Sequence, residues 1–342
     1  MKAVCLKAPN EIDVIQIQEP VQEPGAALVR IMAGGVCGSD IGAFRGTNKL
    51  VSYPRIIGHE LAGYIVSIDP ANKRGLRAGD RVVVDPYLFC GGCYPCSLGR
   101  TNCCASLKVL GVQADGGMAE LYRHPADMLA PIPGDMAYEL AAMAEPLTIA
   151  LHALHRTGVK AGEHVAINGA GAIGLLAGLS ALAYGAVPVL VDLVEERLAF
   201  ARGLGIRHTI NLREQAPLPA LAAITGGRMA EVVLEASGAN AAIRNTLDMA
   251  SFAGRVGLTG WPAKETSLPT DLITRKELSI YGCRTSAGEF DEALELLSTG
   301  KVDGGALISK VIPLDEVPEH VRELAAHPDR YLKIVFKETA RP

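Results

Sequence analysis

Cys90, Cys93, Cys96 and Cys104 are separated by two, two and seven residues, so a single loop can bring four thiolates to one ion. Four sulfur ligands close a tetrahedral coordination sphere, which describes a structural zinc with no position left for a substrate. An iron–sulfur cluster also uses clustered cysteines with two-residue gaps, and Cys103 beside the fourth thiol either substitutes for it or packs. A second group is mixed. Cys37-Gly38-Ser39-Asp40 offers a thiolate and Gly58-His59-Glu60 an imidazole and a carboxylate, a set suited to a catalytic zinc that keeps an exchangeable position. Alone, each reads as packing or an ordinary hydrogen-bonded histidine, so the case depends on joining them. Glu145 follows Leu140-Ala141-Ala142-Met143-Ala144, and burial among those residues is costly without a metal, a proton or a hydrogen-bond partner. The plainer reading is a solvated Glu at a helix end beside Pro146.

A fourth constellation is a glycine turn, Gly169-Ala170-Gly171-Ala172-Ile173-Gly174, after an expected strand and before a helix rich in Leu and Ala. Glycines there let the backbone approach a pyrophosphate, whose charge the helix N-terminus stabilises. Asp192 ends the next expected strand eighteen residues beyond Gly174, where a carboxylate can hold both ribose hydroxyls of an adenosine and repel a 2'-phosphate. NAD is therefore expected over NADP, with Arg197 placed to soften the preference.

The elements that must position these groups differ along the chain. Up to about residue 135, short β-branched runs such as Ala27–Ile31, Gly63–Ile68 and Asp80–Val84 alternate with Gly, Pro, Asn and Asp, which predicts a mainly β region. From Val165 the pattern becomes strand and helix in turn, with apolar runs at 165–167, 189–191, 209–210, 232–234 and 256–259, which predicts a parallel sheet covered on both faces. Ala137–Thr157 has helical spacing and bridges the two, so a boundary is expected near residues 145 to 155. After Cys283 come an amphipathic helix from Phe290 to Leu297, a strand around Ile308, a helix near Val317 to Ala326 and a last strand, Tyr331 to Phe336.

Composition narrows the function. With 342 residues the chain has room for about two domains. Thirty-three basic against 37 acidic side chains leave a net charge of -4, and only 6 Phe, 9 Tyr and 1 Trp are present. Neither nucleic acid nor an anionic membrane surface is an expected partner. Val165 to Val191 holds no charged residue and is long enough to cross a bilayer, but five glycines, Asn168 and Pro188 interrupt it, so a soluble strand–turn–helix–strand is expected. Lys2, Lys7 and Pro9 interrupt the start of the chain where an export signal would need an apolar core, so a cytoplasmic location is the default. Eight cysteines in that setting point to metal or catalysis rather than disulfides.

Together, Gly58-His59-Glu60-x-x-Gly63, Gly79-Asp80-Arg81-Val82, the four-cysteine loop, Glu145-Pro146 and the glycine turn resemble the zinc-dependent medium-chain alcohol dehydrogenase superfamily, in order and spacing, over essentially the whole chain. The resemblance implies an α/β protein: a GroES-like β-rich catalytic domain of residues 1–150 with 285–342, and a Rossmann doubly wound NAD-binding domain of residues 151–284. It implies two zinc ions per chain, one structural and one catalytic. The catalytic ion would be held by Cys37, His59 and Glu60, with Glu145 either a fourth ligand or the holder of the zinc-bound water. Glu145 resembles the sorbitol and threonine dehydrogenase branches, where the alcohol dehydrogenase branch usually has Cys. Ser52-Tyr53-Pro54-Arg55, Gly99–Cys104 and Asp115-Gly116-Gly117 look most like bacterial sugar-acid dehydrogenases of the L-galactonate or L-gulonate 5-dehydrogenase kind. The polyol branch also suggests a homodimer or homotetramer built by pairing Rossmann sheets edge to edge.

Two positions depart from the family's pattern: Gly42 stands where a relay His is common, and Asp69 where a turn glycine is usual. The expected reaction is hydride transfer from a secondary alcohol of a sugar acid or polyol to NAD, with Ser39 as first proton relay and Glu145 as a base acting through water. Arg284, after the last expected Rossmann strand, is the candidate cation for a substrate carboxylate, a surface salt bridge being its plainer role. L-Threonine or another small amino-alcohol is the alternative substrate, and a zinc-stabilised NAD-binding protein without turnover is the alternative of another class.

Overall fold

The computed structural model describes residues 1–338 and divides into two compact units. One comprises Met1–Glu145, Phe290–Thr299 and the chain from Gly304 onward; the other comprises Pro146–Glu289 and Gly300–Asp303. The expected boundaries at 150/151 and 284/285 therefore shift to 145/146 and 289/290. Two local facts account for the second shift. Glu289 Oε1 lies 2.7 Å from His152 Nδ1 and ties residues up to 289 to the second unit, while helix Phe290–Ser298 packs on helix Tyr138–Ala141 and strand Leu129–Pro131 of the first. The expected helical span 137–157 is two helices, Tyr138–Ala141 and Ala144–Thr157.

The first unit is built on a seven-stranded sheet ordered Leu129–Pro131, Arg81–Val84, Glu60–Ile68, Ala26–Val36, Lys333–Lys337, Ile308–Ile312, with Leu121–Pro125 also paired to Ala26–Val36. Its core is the inward face of the long strands, where Val29, Ile31, Leu61, Ile65, Ile334 and Phe336 are buried. Strand Ala26–Val36 is the axis. Its C-terminal end runs antiparallel to Glu60–Ile68 on one side, pairing Gly35 with Glu60, and to Lys333–Lys337 on the other, pairing Val36 with Ile334. Residues 35–37, 60 and 333, far apart in sequence, thus meet at one place. Tyr87–Leu88 and Lys108–Val109 form a separate two-stranded ribbon.

The second unit holds a six-stranded parallel sheet in which the strands, numbered along the unit, lie in the order third, second, first, fourth, fifth, sixth: His208–Asn211, Val187–Asp192, His164–Asn168, Ala230–Glu235, Ala250–Leu258, Ser279–Gly282. Five helices of seven or more residues alternate with these strands. This is the doubly wound Rossmann order, whose ligands bind beyond the carboxyl ends of the strands where the order reverses. The uncharged stretch from Val165 folds as strand, turn, helix and strand, and no helix among the described residues is long and apolar enough to cross a membrane.

Phe336 is fully buried on Lys333–Lys337, whereas Phe252 is 70% exposed. Phe336→Ala is expected to cost about 3–5 kcal/mol and Phe252→Ala under about 0.5 kcal/mol, read as a lowered thermal midpoint for the first variant alone.

Candidate metal centres and nucleotide-binding turn

The four-cysteine loop starts two residues after Leu88 and ends four residues before Lys108, so the two-stranded ribbon closes its base. Cys93 Sγ lies 3.5 Å from Cys96 Sγ and 3.8 Å from Cys104 Sγ, and one sulfur from each of Cys90, Cys93, Cys96 and Cys104 lies within 4.8 Å of the others. A tetrahedron with zinc–sulfur bonds of about 2.3 Å has sulfur–sulfur edges of about 3.8 Å. The spacing fits one ion and is too wide for a disulfide. Cys103 stands outside the group. The backbone N–H of Cys90 lowers the Cys104 thiol to about 6, whereas burial and the neighbouring Cys93 push Cys96 up to about 12. A cation among the sulfurs would favour the thiolate form of all four.

The mixed group assembles at the end of strand Ala26–Val36. Cys37 begins the short helix Gly38–Phe44, and Asp40 Oδ2 accepts the Cys37 N–H at 2.9 Å. The buried His59 and Glu60 come from the entry to the adjacent strand, and their donor atoms lie within 4.8 Å of each other and of Cys37 Sγ. His59 turns Nε2 towards Ser39 Oγ (3.3 Å) and Nδ1 towards Asp40 Oδ1 (3.9 Å), too far for a hydrogen bond, so the buried Asp40 acts on the ring through its charge. Gly35 makes room for Glu60: a Cβ at Gly35 would lie 1.7 Å from Glu60 Oε2.

A cation is already present on one side. Lys333 Nζ, 5% exposed, donates to Glu60 Oε1 at 2.5 Å. Burial works against its charge, but Glu60 and Cys37 outweigh it and hold its pKa above the usual lysine range. The other carboxylate atom, Glu60 Oε2, is buried without a hydrogen-bond partner, as is His59 Nδ1. Burial opposes charge on His59 as well, yet Asp40 and Cys37 hold its pKa well above the ordinary value. An orphaned carboxylate oxygen converging with a thiol and an imidazole fits a divalent ion at this place.

Glu145 enters from the first turn of helix Ala144–Thr157 and is buried. Burial, with the Glu60 charge, pushes its carboxyl up to about 7 against the pull of His59, Tyr87 and Lys333. Tyr87 donates its phenolic hydrogen to Glu145 Oε1. The Glu145 oxygens are not part of the group formed by Cys37, His59 and Glu60.

In the second unit Gly169 has φ +100° and a Cβ at Gly174 would lie 1.8 Å from the Gly169 carbonyl oxygen, so only glycine lets the turn close on the helix. Helix Ala172–Ala183 starts at Gly171 without a side-chain cap, and nothing stands within 4 Å of where a Gly171 Cβ would be. That open N-terminus fits a pyrophosphate. Asp192 accepts the N–H of Ala170 at 2.6 Å on Oδ2 and those of Leu193 and Val194 at 2.7 and 2.9 Å on Oδ1. Ala172 and Ile173 open that helix, and Arg197 lies in the next one, Glu195–Gly203. Arg284 follows the edge strand Ser279–Gly282 of the same unit.

Sequence reasoning missed Lys333 and Tyr87 and quoted Asp40 without giving it a role. Lys333 carried a faint signal, a lone cation opening the apolar run Ile334-Val335-Phe336; Tyr87, between Pro86 and Leu88, carried none. Zinc analysis of purified protein is expected to return two equivalents per chain. Cys37→Ser should retain the ion of the four-cysteine loop alone, and Cys96→Ser should lose that ion with a lowered thermal midpoint.

Residues 23–134 match the alcohol dehydrogenase GroES-like domain, and residues 172–299 the zinc-binding dehydrogenase domain. An uncharacterized zinc-type alcohol dehydrogenase-like protein of Haemophilus influenzae is 55% identical over 98% of both chains. Sorbitol dehydrogenase of Bacillus subtilis (98% of this chain, 96% of that one) and L-galactonate-5-dehydrogenase of Escherichia coli (93% and 94%) are each 32% identical. A solved Escherichia coli structure described as a short chain alcohol dehydrogenase (rspB) complexed with NADH is 32% identical and superimposes with a TM-score of 0.91 over 99% of both chains. This chain belongs to the zinc-dependent, GroES-like alcohol dehydrogenase family, in its polyol and sugar-acid branch, and is an oxidoreductase.

Proposed function

We propose that this protein oxidises a secondary alcohol of a sugar acid with NAD, holding its catalytic zinc on Cys37, His59 and Glu60 and its structural zinc on Cys90, Cys93, Cys96 and Cys104. The observation that carries the reading is the buried triangle of Cys37, His59 and Glu60, with one carboxylate oxygen unsatisfied. Zinc bound there supplies a Lewis acid that lowers the pKa of an alcohol, and NAD supplies the hydride acceptor.

The chain's own residues do the rest. Ser39 Oγ, beside His59 Nε2, takes the proton of the substrate hydroxyl and passes it towards the cofactor ribose and solvent. Gly42 has no side chain to extend that relay. Glu145, with its carboxyl pushed up to about 7, exchanges protons with water near neutral pH. Asp192 retains a lone pair on Oδ2 beyond its three backbone bonds for a ribose hydroxyl, which supports NAD over NADP. Arg197 tempers that preference.

For the substrate, the sugar-acid reading is supported by the stretches around Ser52, Arg100 and Asp115, with Arg284 as the guanidinium for the carboxylate. Strand Ser279–Gly282 is an outer strand of its sheet, and its free edge suits pairing with a second copy. The cysteines are all unpaired thiols, which suits a cytoplasmic location.

NADH formation by zinc-replete protein, measured against aldonic acids, neutral polyols and L-threonine with chelated controls, tests the reading. Chelator-sensitive turnover confined to aldonates is the expected result; turnover of polyols or L-threonine alone overturns the substrate class, and silence with zinc and NAD bound likewise means that the substrate class is wrong. Ser39→Ala should lower kcat by about a hundredfold and leave the KM for NAD unchanged. Arg284→Ala should raise KM for aldonates about tenfold without changing it for neutral polyols.

A further inference from the structure

Tyr87 opens the two-residue strand Tyr87–Leu88 and pairs with Val109. The four-cysteine loop is the closed end of this ribbon, and Tyr87 stands at its opposite end. Its backbone is fixed as well, because its N–H donates to Asp85 Oδ1 at 3.1 Å and the Asp85 carbonyl lies 2.9 Å from His124 Nε2. The phenol is 4% exposed and donates to Glu145 Oε1. Burial and the Glu145 charge hold Tyr87 well above the ordinary tyrosine range, so it stays a donor.

A catalytic zinc needs an exchangeable position, and a fourth protein ligand would close the tetrahedron. Glu145 is the residue expected as that ligand, and its oxygens stand outside the donor group of Cys37, His59 and Glu60. We propose that Tyr87 is a positioning residue whose phenol tethers Glu145 outside the inner coordination sphere of the ion on Cys37, His59 and Glu60, keeping the fourth position open. The inference rests on those three residues being metal ligands. Without the phenol that contact is lost, and a divalent ion is the most highly charged group to which the carboxylate can turn.

The test uses protein carrying cobalt at the Cys37 site and zinc in the four-cysteine loop, with loading verified by metal analysis. Tyr87→Phe is expected to shift the visible cobalt bands, slow metal release to a chelator at least threefold and lower kcat at least tenfold, with KM for NAD within twofold. In a Glu145→Ala background the same substitution should leave the bands and the release rate where Glu145→Ala puts them. Unchanged bands, release and kcat in Tyr87→Phe overturn the proposal, as does an equal band shift with and without the carboxylate. Glu145→Ala alone, with Tyr87 intact, should keep the cobalt bands of the parent; a shift there means that Glu145 is already a ligand, and this arm holds even if Tyr87→Phe does not fold. Failure of cobalt to bind at Cys37 overturns the metal reading and the tether with it.

Discussion

Buried negative charge at the end of strand Ala26–Val36 is the constraint around which the first unit is arranged. Asp40, Glu60 and Glu145 are each 3% exposed or less and share their surroundings with the Cys37 thiol. Charged groups of one sign taken out of water separately are unstable by several kcal/mol each. They persist only where cations stand among them, and the chain provides one of its own, Lys333, from the far end of the sequence. The sheet order meets that requirement: Ala26–Val36 lies between the strand that brings Glu60 and the strand that brings Lys333.

The second metal centre answers a different need. Residues 86–110 hold only short elements, the two-stranded ribbon, a one-turn helix at Tyr94–Ser97 and a 3-10 turn at Thr101–Cys103, and with Cys90 and Tyr94 exposed the segment has little apolar burial to fix its shape. A closed four-sulfur site supplies that rigidity where a core cannot. Its ribbon then carries order inward, because Tyr87 at the base is among the most buried residues of the region.

Most of this was legible in the chain. Fixed spacing announced the four-cysteine loop, since its ligands come from one segment. The glycine turn was equally plain, because its geometry admits only one residue type at Gly174 and its partner Asp192 sits one βαβ unit on. The boundaries were less so: helix Ala144–Thr157 is one periodic run, with Glu145 in one unit and the residues after it in the other. Lys333 and Tyr87 were hidden for a physical reason. Each acts through contacts with residues more than fifty positions away, 273 between Lys333 and Glu60 and 58 between Tyr87 and Glu145, and leaves no local pattern. Asp40 was quoted in its motif, but its service to His59 shows only when the two loops meet.

Asp192 joins two duties in one carboxylate. It receives three backbone N–H groups, one from the glycine turn and two from its own loop, and in the proposed function it also distinguishes a ribose hydroxyl from a ribose phosphate. Selectivity and scaffold are therefore not separable at this position. An exchange that removed the carboxylate to welcome a phosphorylated cofactor would also loosen the turn meant to receive it. Under the proposed selectivity for NAD, a change of cofactor is a compound event, in which a new acceptor for the Ala170 N–H has to arrive together with the new cation.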